Sequence, residues 1–90
     1  MEEIIVKMRI MPESQKSKIE ELELGVKKIF QKKKQNNFKT EIQPIAFGLN
    51  ALIILFSWPE EEPLESIEKE IKSIKGVGSV DVLDMRRSIG

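Results

Sequence analysis

The chain contains neither cysteine nor histidine. That excludes thiol nucleophiles, disulfides, Cys/His zinc sites and the imidazole that most often serves as a general base. Carboxylates, lysines, arginines and hydroxyls remain, and none forms a recognisable nucleophile–base pair. Net charge is also lacking: 15 basic residues balance 15 acidic ones, so long-range attraction to nucleic acid or anionic lipid is not expected. The longest apolar stretch, Leu49 to Phe56, is interrupted by Asn50 and falls well short of the ~20 residues a membrane span needs. Met1-Glu2-Glu3 has neither the basic lead nor the apolar run of a signal peptide. A cytoplasmic location away from membranes is the expectation, and the missing disulfides agree with it. A nucleotide cradle is missing too. Gly76-Val77-Gly78 lacks the third glycine of a dinucleotide fingerprint and precedes a strand, so it reads as a helix stop and bend. No cofactor and no metal site are expected.

What is present is enough for one domain spanning residues 1–90: 90 residues, 40% of them apolar, support a single modest core. Ile4 to Met11 alternates, with Ile4, Val6, Met8 and Ile10 on one face and Lys7 and Arg9 on the other, as a half-buried strand does. Pro12 stops it. Ser17-Lys18-Ile19-Glu20 reads as a capping box, and Ile19, Leu22, Val26, Ile29 and Phe30 follow at helical spacing. Lysines load the far end of that helix, where its dipole favours positive charge, and Asn36-Asn37 closes it.

Phe38 to Gln43 alternates but is polar on one side and ends at Pro44, which suits an edge strand. Leu49 to Trp58 is apolar on both faces and belongs in the middle of a sheet. Pro63 opens a second helix behind Glu60-Glu61-Glu62. Leu64, Ile67, Ile71 and Ile74 form its buried stripe, and Val80 and Val82 build the last strand. The resulting β-α-β-β-α-β order predicts an α+β, ferredoxin-like sandwich. Its antiparallel four-stranded sheet has order 4-1-3-2, with both helices on one face. Val6, Met8, Ile10, Leu22, Val26, Ile29, Ile67, Ile71, Ile74, Val80 and Val82 form the predicted core.

Two charge clusters have plain readings. Lys27 to Lys39 is a basic run without interleaved aromatics for base stacking, and dipole complementarity explains it. Glu60, Glu61 and Glu62 point in different directions, as consecutive residues must, and suit a helix N-terminus better than a metal cage.

Two further segments have a plain reading, Phe47 as a corner packing residue and Arg86-Arg87 as solubilising tail charges, and a functional one beside it. Pro44-Ile45-Ala46-Phe47-Gly48-Leu49 sets an aromatic on a tight corner. Val80-Asp81-Val82-Leu83-Asp84-Met85-Arg86-Arg87 ends a strand in paired guanidinium groups. Both make sense if the ends of the domain press against a partner.

Together with Met11-Pro12-Glu13-Ser14, these segments resemble the archaeal elongation factor 1-beta family, exchange factors for the GTPase elongation factor 1-alpha. The likeness runs through nearly the whole chain. It implies a ferredoxin-like translation factor that promotes exchange of GDP for GTP on that GTPase, without covalent chemistry of its own. It further implies that Phe47, flanked by Ala46 and Gly48, inserts into the partner. A C-terminal cation then approaches the partner's magnesium and phosphate site. Arg87 matches a lysine of eukaryotic relatives there, with Arg86 and Asp84 beside it. The chain is expected to be a monomer or a weak homodimer that binds no nucleic acid directly.

Two other classes share the architecture. An RNA-recognition module needs aromatics on the open sheet face, where the first strand offers Ile5, Lys7 and Arg9 and the last offers Asp81, Leu83 and Met85. A small-molecule regulatory or metal-carrier module often carries a ligand loop after the first strand, where this chain has Met11-Pro12-Glu13-Ser14.

Overall fold

A computed structural model describes residues 3–35 and 37–87. The elements are β1 (Glu3–Pro12), α1 (Ile19–Lys32), β2 (Phe38–Pro44), a single turn of 3-10 helix (Ala46–Gly48), β3 (Asn50–Pro59), α2 (Glu65–Lys72) and β4 (Val77–Arg87). The sheet order is β2-β3-β1-β4, and every neighbouring pair is antiparallel. This is the expected topology read from the opposite edge.

The core follows from strand alternation. Ile4, Val6, Met8 and Ile10 of β1 and Leu52, Ile54, Phe56 and Trp58 of β3 share one face of the sheet and are buried. Against them pack Ile19, Leu22, Val26 and Phe30 of α1 with Ile67 and Ile71 of α2. Both helices therefore cover the same face. Phe30 stacks on Phe38 at 4.9 Å between ring centroids and meets Phe56 at 5.0 Å, and Phe56 meets Trp58 edge-on at 5.9 Å. These ring contacts fasten α1 to the edge strand β2.

Several expectations are corrected. The capping box does not form. Helix α1 begins one residue later than expected, with Lys18 as its N-cap and no side-chain cap. The Lys18 carbonyl accepts from Glu21 N–H at 3.0 Å and Leu22 N–H at 3.3 Å, while Ser17 N–H is spent on the Ser14 carbonyl. That leaves Ser17 one position too early to cap. At the other end α1 gives way to Lys33 and to Lys34 at φ 59°; of the two asparagines expected to close it, Asn36 lies outside the described residues. Strand β1 runs through Pro12, and β3 runs through Pro59.

Val82 is exposed rather than buried, and Ile29, Ile74 and Val80 are only half-buried against the core. The reason is topological: β4 is an edge strand, with a neighbouring strand on one side only. Two β-bulges also interrupt its pairing with β1, one between Lys7 and Met8 and one between Met11 and Pro12. The first leaves Leu83 as an extra residue between Val82, opposite Met8, and Asp84, opposite Lys7. Met85 thereby pairs with Val6, so it stands on the helix side and not on the open face.

Both glycines of Gly76-Val77-Gly78 have backbone reasons. Gly76 has φ +97°, the left-handed conformation that ends the turn after α2. Gly78 is the extra residue of the second bulge. A Cβ there would come within 2.9 Å of the Pro12 carbonyl oxygen.

Candidate partner-docking site

At one end of the sheet, β2 and β3 are joined through Ala46-Phe47-Gly48. Ile45 N–H donates to the Leu49 carbonyl at 2.8 Å and Leu49 N–H to the Ala46 carbonyl at 3.4 Å, closing a three-residue loop. So tight a closure needs left-handed backbone. It is supplied by Gly48 at φ 74° and also by Phe47 at φ 64°, ψ 30°. A bulky L-residue in that region is strained. The ring gains nothing in return from packing, since Phe47 is 87% exposed. The neighbouring β1–α1 loop reaches across to it, where Gln15 Nε2 donates to the Phe47 carbonyl.

Arg86 and Arg87 occupy the opposite end. Arg87 pairs with Ile4, which also pairs with Trp58, so the register sets Arg87 on the helix side of the sheet. Its guanidinium Nη2 donates to Glu60 Oε1 at 2.9 Å. Glu60 stands on the turn leaving β3, where Glu62 N–H donates to the Pro59 carbonyl at 3.1 Å. The buried Trp58 indole clamps that turn by donating to the Glu62 carbonyl at 3.0 Å. Arg86 pairs with Ile5 and so belongs to the open face. There its Nε donates at 2.8 Å to Asp84, itself opposite Lys7. The two adjacent arginines thus serve opposite sides of the sheet, each held by a different carboxylate. Both pairs are largely exposed, and such pairs contribute at most ~1 kcal/mol.

The candidate residues therefore form two groups. Ala46, Phe47 and Gly48 are together at one end, and Asp84, Arg86 and Arg87 at the other. Eight residue steps of β3, from Asn50 to Trp58, separate the level of the corner from that of Arg87, roughly 25 Å at the rise of a strand. Residue reasoning missed Gln15 and Glu60, because partners so far off in sequence leave no local signal. Glu60 was read only as part of an acidic helix start.

On the open face of the sheet, Ile5, Lys7, Arg9, Ile53, Leu55, Asp81 and Asp84 are interspersed, and no aromatic side chain among the described residues belongs to it. Apart from Phe47, the aromatics all lie on the helix side or in α1. A base-stacking platform of the RNA-recognition kind is thus missing among the described residues. No helix among them is long and apolar enough to cross a membrane.

Residues 5–87 match the family model described as the EF-1 guanine nucleotide exchange domain. A protein named elongation factor 1-beta from Thermofilum pendens is 36% identical over 92 residues, a span covering all of both chains. Proteins of the same name from Saccharolobus islandicus strain L.S.2.15 and Saccharolobus solfataricus strain P2 are each 29% identical over 97% of this chain and 97% of their own. The chain belongs to the EF-1 guanine nucleotide exchange domain family.

Proposed function

We propose that this chain, acting as one exchange domain, promotes the replacement of GDP by GTP on the GTPase elongation factor 1-alpha. Family membership supports the activity. The observation that carries the docking mode is Phe47, a strained and exposed aromatic that serves no core. Strain at an unburied aromatic persists only where the surroundings impose it, and it concentrates at functional positions. Phe47 is the anchor, with Ala46 and Gly48 as the small neighbours that let a partner surface close around the ring.

The cationic end does a different job. Arg87 approaches the partner's magnesium and phosphate site, where a fixed positive charge competes with Mg²⁺ for the same oxygens. Asp84 holds Arg86 on the other side of the sheet, so Arg86 serves a peripheral contact. Since the two ends lie roughly 25 Å apart, only the Arg87 end reaches the nucleotide, and Phe47 grips a separate patch of the same partner.

Exchange follows by linkage. A factor that binds the nucleotide-free GTPase better than the GDP-bound form weakens GDP binding by the same ratio. No covalent step is required, in keeping with a chain that has no thiol or imidazole.

The test is release of a fluorescent GDP analogue from the cognate GTPase. Arg87→Ala should preserve the fold and sharply slow release. Arg87→Lys should retain much of the activity, because the role is delivery of charge rather than bidentate geometry. Raising free Mg²⁺ should slow the alanine variant more than the parent. Parental rates for Arg87→Ala across a magnesium titration would rule out charge intrusion.

A further inference from the structure

We infer that Gln15 is the positioning residue for Phe47. The inference rests on the docking role proposed for Phe47 and extends it to a second loop. The left-handed conformation of Phe47 is disfavoured by ~1–2 kcal/mol for an L-residue, and the ring has no packing partner to hold it there. Closure of the Ala46–Gly48 loop constrains its two ends through Ile45 and Leu49. The middle peptide is reached from outside the hairpin, where Gln15 Nε2 donates to the Phe47 carbonyl.

Gln15 is well placed to act as a fixed strut. Its loop is tied internally by Ser17 N–H to the Ser14 carbonyl at 3.1 Å and by Lys16 N–H to Ser14 Oγ at 3.2 Å. It is tied to the start of β4 by Glu13 N–H to the Gly76 carbonyl at 2.7 Å. The Phe47 peptide is therefore oriented by a donor mounted on the β1–α1 and β4 side of the fold. Gly48 borders the same strut, its Cβ position lying at ordinary contact distance, 3.8 Å, from Gln15 Nε2. Pre-setting the ring in its docking orientation spares the ordering cost that a wandering loop incurs on binding.

Gln15→Met keeps the length of the stem and removes only the donor. In the GDP-release assay it should raise the concentration of exchange factor giving half-maximal rate by about three- to tenfold, what the net loss of one hydrogen bond does to an equilibrium. The plateau rate should not change, and the melting temperature should fall by about a few degrees at most. In a Phe47→Ala background the same substitution should have no effect on exchange, because Gln15 acts only through Phe47. In the free protein, ¹⁵N relaxation dispersion at the Ala46, Phe47 and Gly48 amides should increase in Gln15→Met. A Gln15→Met effect that persists without the Phe47 ring overturns the inference, and so do loop amides that relax as in the parent. If Phe47→Ala itself exchanges normally, the docking role of Phe47 fails, while the relaxation data still decide whether Gln15 holds the turn.

Discussion

Phe47 holds a backbone conformation that its side chain disfavours, and this separates its effect on stability from its effect on binding. Phe47→Gly relieves about 1–2 kcal/mol of left-handed strain and gives back about 0.5–1 kcal/mol to the freer unfolded chain. The melting temperature should therefore stay level or rise slightly. Affinity for the GTPase should fall by ~2 kcal/mol or more if the ring is an anchor. Paired thermal melts and exchange titrations check both halves, and a clear loss of stability with normal exchange would return Phe47 to a structural role. The exposed aromatic corner was legible from Pro44, Ala46 and Gly48 around it. The left-handed φ of Phe47 was not, because the hydrogen bonds that impose it come from loop closure and from Gln15.

Among the elements, β4 departs most from its sequence pattern. Simple alternation made Val82 a core residue and Met85 an open-face residue. The bulge at Leu83 and the edge position of the strand reversed both, and neither depends on the local residue types. Gly78 shows the same gap. The sequence suggests a bend, while the structure shows backbone packed against the position its Cβ would take, 2.9 Å from the Pro12 carbonyl. Gly78→Ala, at an exposed site with an ordinary φ, would by default be nearly neutral. Here it should destabilise by ~1–3 kcal/mol, because a backbone oxygen cannot swing aside as a side chain can. Urea unfolding checks this. Gly25 within α1 has a related explanation: a Cβ there would meet Ile74 Cγ2 at 2.9 Å, so the weak helix former allows the turn after α2 to approach closely.

At the scale of the whole molecule, periodicity and connection rules were sufficient for the topology. The half-buried alternation of β1, the two-sided apolar run of β3 and the helical stripes of α1 and α2 each leave one way to share a core. Periodicity carries no information about how far apart two sites lie once the chain is folded, and so the distance between the two candidate segments was not legible. The separation makes a prediction. Sites roughly 25 Å apart that share no contacting residue in this chain behave independently, so the losses of Phe47→Ala and Arg87→Ala should add to within ~0.5 kcal/mol in the double variant. A marked shortfall or excess, measured as exchange efficiency of the two single variants and the double, would mean that the two ends act through one element of the partner.

The bulge at Leu83 also determines which changes in chain length β4 can absorb. A strand keeps phase, inward then outward, and a single added or lost residue inverts everything beyond it. Leu83 is already outside that count, because the bulge takes it up. Deleting Leu83 therefore leaves Asp84 opposite Lys7, Arg86 facing outward and Arg87 on the helix side, and exchange should survive. Deleting Met85, only two positions on, inverts the phase and carries Arg87 to the open face, away from Glu60. Exchange should then collapse although the composition of the tip is unchanged. A change of chain length in this strand should therefore be tolerated at the bulge and harmful between the bulge and the arginines.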